Sequence, residues 1–197
     1  MFIYLIRHTR PDVADGVCYG QSDVALAKSF EAEKESVRRK LRSLAEPELV
    51  CSSPLLRCAR LAAALAGSGV RIDDRLKEMA FGDWELEYWD NIERACLDEW
   101  ASDFVRRAPP RGETLASLYR RVRMWIEDLL SQPFDPVAVV THAGVIRCLH
   151  AWATGVSLAE VFDIRVDYGD VFKLEIPEAR DNVTITRIWP GSSASGL

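Results

Sequence analysis

Residues 2–6, FIYLI, form an unbroken hydrophobic run that ends in two strongly polar residues, Arg7 and His8. A short apolar run without alternation predicts a strand buried on both faces, here residues 2–7. The stretch TRPDVADGVCYGQSD follows, punctuated as a turn by Pro11, Gly16 and Gly20. Over residues 28–44 the spacing of Phe30, Val37, Leu41 and Leu44 predicts a helix. ELVCSS reads as a short strand, and SSPLLRCARLAAALAG as a helix after it. Ser53 is placed to cap that helix, Pro54 to stand in its first turn and Gly67 to end it.

VRID is a further short strand. Residues 79–112 are irregular and aromatic, with FGDWELEYWD and an APPRG break. Helical periodicity returns over residues 113–130, where Leu115, Leu118, Val122, Ile126 and Leu129 share one face. PVAVVTHAG repeats the opening pattern, a hydrophobic strand with a polar end, and a helix over 145–153 follows it. VFKLEI and VTITRIW are two late strands, and GSSASGL is expected to be a flexible tail over 191–197.

Strands alternating with helices predict an α/β fold with a sheet covered on both faces, a three-layer sandwich. In such sheets ligands bind beyond the carboxyl ends of the strands. Three polar segments therefore become neighbours: Arg7-His8, Ser52-Ser53 and Thr141-His142. The expected organisation is a single domain over residues 1–190, with an irregular cap inserted at about 79–112.

Composition narrows the function. With 48% hydrophobic and 28% charged residues the 197-residue chain has the makeup of a globular domain. The net charge of -5 gives no electrostatic reason for a nucleic-acid partner, so an anionic ligand must be held by local arginines. Cys18, Cys51, Cys58, Cys96 and Cys148 are odd in number and lack C-x-x-C spacing, which predicts reduced thiols and no zinc site. Met1 leads directly into a strand, and no apolar run is long enough to span a bilayer. The expectation is a cytoplasmic protein with no membrane partner.

Either histidine alone, His8 or His142, reads first as a structural residue at a strand end. Their company changes that. Arg7 ends a hydrophobic strand, where a guanidinium is costly unless paired. Arg57 lies near the positive end of a helix. Two guanidiniums, a helix N-terminus and two imidazoles repel one another unless an anion sits between them, and a phosphoryl group has the right charge and bidentate geometry. The plainer alternative is that both arginines pair with some of the 30 acidic residues.

LIRHTRP, SSPLLRCARLA, LKEMAFGDWE, PPRGETLASLYRRV and VVTHAGVIR together resemble the histidine phosphatase superfamily, in the family's order and over residues 2 to about 175. The resemblance implies a phosphoglycerate mutase-like sandwich with a mostly parallel central sheet. By the same resemblance His8 matches the nucleophile that becomes a phosphohistidine, and Arg7 and Arg57 match the phosphate clamp. His142 matches the second phosphate-binding histidine, and Glu78 the acid that protonates the leaving oxygen. No metal and no cofactor is implied, because arginines and histidines supply the positive charge.

Where the family most often has glycine, this chain has Thr9, Ala143 and Leu86. Ala143 can still offer a backbone N–H to phosphate. The asparagine that many mutases carry past the first histidine is absent, with Ala14 nearby, so one phosphate contact is expected from Thr9, Arg10 or Gln21. RHTRPDVADGVCYGQSDVAL most resembles the branch of alpha-ribazole phosphatases, which dephosphorylate a nucleotide-like intermediate of cobalamin assembly. That implies a small phosphorylated metabolite as partner. Arg10, Tyr19, Gln21 and Glu113 are the substrate-side candidates, with packing and helix initiation as alternatives for Tyr19 and Glu113. Trp84, Trp89 and Trp100 are expected to fill the cap. A mutase-type phosphotransferase, a non-catalytic phosphate-binding protein and a homodimer all stay open.

Overall fold

The computed structural model describes residues 1–66, 69–179 and 181–189. Its centre is a six-stranded sheet in the order β3-β2-β4-β1-β5-β6. These strands are β1 (Phe2–Arg7), β2 (Leu49–Ser52), β3 (Val70–Ile72), β4 (Val137–Thr141), β5 (Val171–Glu175) and β6 (Thr184–Ile188). The four strands β3, β2, β4 and β1 run parallel, while β5 and β6 pair antiparallel at one side.

Side chains alternate across this sheet and feed two cores, which is why β1 and β4 read as continuous apolar runs. Ile3, Leu5, Val137 and Val139 face α4 (Leu115–Leu129) and α5 (Ala143–Thr154). Tyr4, Ile6, Ala138 and Val140 face the other way, toward α1 (Phe30–Leu41) and α2 (Leu56–Ala66). The fold is thus the expected three-layer α/β sandwich. All five apolar residues predicted for the α4 face are buried, joined by Trp125. Thr114 caps this helix by accepting from the Ser117 N–H at 3.0 Å.

Two helix starts differ from the sequence reading. The α2 helix starts only at Leu56, whose N–H donates to Asp23 Oδ1 at 2.7 Å. A distant loop thus supplies this acceptor, while Ser53 Oγ accepts from the Leu55 N–H one residue earlier at 3.3 Å. The α5 helix begins at Ala143, two residues before the predicted start, directly after the strand. The predicted stop at Gly67 and the tail over 191–197 lie outside the described residues.

Residues 79–112 carry more order than expected. They include α3 (Arg94–Ser102), whose sequence lacks a capping residue and a clean apolar stripe. Phe81, Trp84, Trp89, Trp100 and Phe104 pack ring against ring, with centroids 5.4 to 6.5 Å apart. The tryptophans do fill this region, as expected.

Leu86 stands at φ +69° and its side chain is exposed. The left-handed region costs a residue with a Cβ about 1–2 kcal/mol, which explains why glycine suits this turn. Leu86→Gly should therefore raise stability by roughly 0.5–1 kcal/mol, after the extra backbone entropy of glycine is subtracted. Urea unfolding of the two proteins measures it.

Candidate active site

Parallel pairing of β1 with β4 sets Arg7 opposite Thr141, so the next residues, His8 and His142, leave the sheet side by side. The His8 N–H donates to the Thr141 carbonyl at 3.0 Å. The two imidazole rings lie 5.1 Å apart, edge to face, with exposures of 1% and 0%. His8 Nδ1 is 2.7 Å from the Thr9 carbonyl. A carbonyl only accepts, so Nδ1 carries the proton and Nε2 keeps its lone pair. His142 Nε2 lies 2.8 Å from Ser53 Oγ and 3.4 Å from Cys58 Sγ.

Backbone carbonyls, not carboxylates, hold the two arginines. Arg7 donates to the Val166 carbonyl at 2.7 Å, and Arg57 to the carbonyls of Ser22 and Gly20 at 2.8 and 2.6 Å. Neither forms an ion pair among the described residues, and the Nε of each is buried without a partner. Dipoles of backbone carbonyls orient these guanidiniums without cancelling their charge. Glu78 stands at the start of α5, its carboxylate accepting from the Gly144 N–H at 3.1 and 3.2 Å and from its neighbour Met79 N–H at 3.0 Å. A Cβ on Gly144 would lie 2.2 Å from Glu78 Oε1, so this close approach needs glycine.

Residues 3–187 match the sequence profile of the histidine phosphatase superfamily, branch 1. The chain belongs to this superfamily. A curated relative, the adenosylcobalamin/alpha-ribazole phosphatase of Escherichia coli, is 27% identical over 177 residues, covering 86% of this chain and 87% of that protein. The Hydrogenobacter thermophilus protein named "putative phosphoserine phosphatase 2" is 25% identical over 182 residues, with 88% and 89% covered. Among solved structures, the alpha-ribazole phosphatase of Shigella flexneri is similar at a TM-score of 0.85 and 27% identity, covering 100% of this chain and 99% of that one.

In this histidine phosphatase the outer candidates fall into two groups. Gln21 Nε2 donates to the Glu78 carbonyl at 2.9 Å, and Glu113 is held by Arg121 at 2.6 Å while accepting from the Ala80 N–H at 2.9 Å. Both therefore brace the Glu78 segment. Tyr19 and Arg10 stay at the mouth. The Tyr19 hydroxyl meets that of Tyr168 at 2.8 Å, and its ring lies 5.1 Å from the Arg57 guanidinium. Arg10 is exposed and lies 5.2 Å from the Tyr168 ring. Thr9 Oγ1 is buried without a partner, and the Ala143 N–H has no protein acceptor among the described residues. Of the three proposed sources for the missing contact, Thr9 Oγ1 remains free, Arg10 pairs with Asp15 at 3.6 Å on the surface, and Gln21 is engaged.

Several site residues were not singled out from the sequence. Tyr168 lies over Arg7, 3.9 Å from ring centroid to guanidinium carbon. Arg121 donates to the carbonyls of Arg75, Lys77 and Glu78, fixing the strand-to-cap segment. Glu85 accepts from the N–H groups of Gln21 and Phe81 and from Ser22 Oγ, tying the first loop to the cap. Only the FGDWE and LYRRV motifs themselves hinted at Glu85 and Arg121; Tyr168 lies in a stretch without a motif.

Burial, followed by the Arg57 and Arg7 charges, holds the His8 imidazole well below its ordinary pKa of 6.5. Burial, His8 and both arginines do the same to His142. The unfolded chain thus binds these protons more readily than the folded one. Stability contributed by the pair is complete above about 6.5 and falls as pH drops below it. Imidazole proton resonances followed by NMR should give both midpoints below 6.5. A midpoint above that value for His8 in the free protein would contradict the buried, cation-flanked geometry.

Proposed function

We propose that this chain is a metal-independent phosphomonoesterase that works through a phosphohistidine on His8. The observation that carries the reading is the Nδ1–carbonyl bond of His8, which leaves Nε2 nucleophilic beside two guanidiniums without acid partners. His8 Nε2 attacks phosphorus as the P–O ester bond breaks. Glu78 gives its proton to the departing alkoxide. Arg7, Arg57 and His142 hold the non-bridging oxygens, where charge spreads in the transition state, and the free Ala143 N–H adds a further donor. Water then attacks phosphorus, Glu78 takes its proton, and the N–P bond breaks to release inorganic phosphate.

The substrate we favour is alpha-ribazole 5'-phosphate or a related small phosphate ester, because similar proteins in sequence and in structure carry that activity in their names. A cytoplasmic location fits this substrate. Within the described residues no helix is long and apolar enough to cross a membrane. The two alternatives, a mutase-type transferase and a non-catalytic binding protein, are less well supported. The relatives described above are named as phosphatases, and all five chemical residues are present in the sequence.

Incubation with labelled substrate in the presence of chelator should leave acid-labile label on His8, and His8→Ala should lose nearly all turnover while keeping its fold. Turnover of the variant equal to wild type would sink the reading. Glu78 is tested by leaving group. An alkyl phosphate leaves as a basic alkoxide, whereas para-nitrophenolate is stable without a proton. Glu78→Gln should slow ribose 5-phosphate hydrolysis by about 10²–10⁴-fold and para-nitrophenyl phosphate far less. Equal slowing of both would make Glu78 a structural residue.

A further inference from the structure

The reacting groups are shut away from solvent. His8 is 1% exposed, and Arg57 and His142 are 0% exposed. A phosphate ester has to reach them, so some part of the wall must move. Two half-buried tyrosines cover the clamp. The Tyr168 ring lies 3.9 Å from the Arg7 guanidinium carbon and 5.6 Å from the His8 ring. The Tyr19 ring lies 5.1 Å from the guanidinium carbon of Arg57. These rings come from positions 149 residues apart in the chain and meet through their hydroxyls, at 2.8 Å.

What can move follows from what is tied. Around Tyr168 the Asp167 N–H donates to Asp170 Oδ2 at 2.6 Å, Arg187 binds both carboxylates, and Lys40 holds the Gly169 carbonyl at 2.8 Å. The Gly169 N–H donates to the His8 carbonyl at 3.1 Å. Around Tyr19 the Ser22 N–H donates to the Tyr19 carbonyl at 2.7 Å, and Arg57 holds the carbonyls of Gly20 and Ser22. Arg121, Gln21 and Glu113 brace the Glu78 flank. The hydroxyl contact is a single bond between neutral groups, weaker than the charged contacts around it. Rotation of either ring about its side-chain torsions breaks this bond and leaves the backbone where it is.

We propose that Tyr19 and Tyr168 are a gate over the phosphate site: their hydroxyl bond holds it closed, and parting the rings admits the ester and releases phosphate. Closed, the pair keeps bulk water from the clamp, where guanidinium charges act more strongly at low dielectric. That purpose rests on the reading of His8 as the nucleophile; the geometry of the gate does not.

Diethyl pyrocarbonate, which modifies neutral imidazole nitrogens, measures the opening without turnover. Burial and two arginines hold the His8 pKa well below 6.5, so at pH 7 its rate of modification reports access and not protonation. Peptide mapping should show His8 modified about 2–10-fold faster in Tyr19→Phe and in Tyr168→Phe than in wild type, the range of one lost neutral hydrogen bond acting on the open population. Either substitution removes the same bond, so the double variant should be no faster than the singles. His150, half-buried and about two turns along α5 from the site, should keep its rate in every variant. Unchanged or slower modification of His8, single effects that multiply in the double variant, or an equal rise at His150 would overturn the gate. Acid-labile phosphate on His8 is measured separately in the same proteins, so failure of the gate and failure of the phosphohistidine reading give different results.

Discussion

The site depends on one register. Because β1 and β4 are parallel neighbours with Arg7 opposite Thr141, two histidines separated by more than half the chain emerge together at the carboxyl end of the sheet. Each follows a strand whose central residues are buried in both cores, so neither backbone can shift without disturbing them. A slip by one residue would turn Ile3 and Leu5 to the opposite face and carry His8 with them. The packing that holds the sheet together is thus the same constraint that fixes the geometry of the reacting groups.

That mount is loaded with positive charge. Arg7 and Arg57 are tethered through backbone carbonyls, which orient a guanidinium but carry no formal charge to neutralise it. Both imidazoles respond by staying neutral. The fold accepts this repulsion because the elements that carry it are held by apolar packing elsewhere. Stability is given up locally where a dianionic phosphoryl group would restore it. Thr9 and Ala143 stand where the family most often has glycine: Thr9 is fully buried, and Ala143 begins α5 with no acceptor for its N–H among the described residues.

Around this centre a second set of polar contacts holds Glu78 in place. Arg121 reaches from α4 to the carbonyls of Arg75, Lys77 and Glu78 in the segment that carries Glu78, and Glu113 and Gln21 complete the brace. Glu85 does the same for the loop after β1, and a Cβ on Gly20 would meet its carboxylate at 2.3 Å. The aromatic region is thereby tied to the first loop. Leu86, despite its unfavourable φ, keeps the turn through its N–H bond to the Cys18 carbonyl at 2.6 Å.

The sequence alone determined the layer architecture, because hydrophobic runs and helical spacing are local properties that burial on two faces writes directly into the chain. It also determined Arg7, His8 and His142 as neighbours, since ligand-facing strand ends lie at one edge of a parallel sheet, with Arg57 on the helix that follows β2. Tertiary structure decided the rest. Asp23 rather than Ser53 caps α2, because the acceptor comes from a loop 33 residues away in sequence. Gln21 and Glu113 became braces, because their partners lie on other elements. Tyr168 acquired meaning only from what stands opposite it, the Arg7 guanidinium under its ring. Periodicity and motif report which residues are buried and which strand ends meet. Whether a given charge is answered by a neighbouring charge depends on contacts across elements, and those exist only once the chain has folded.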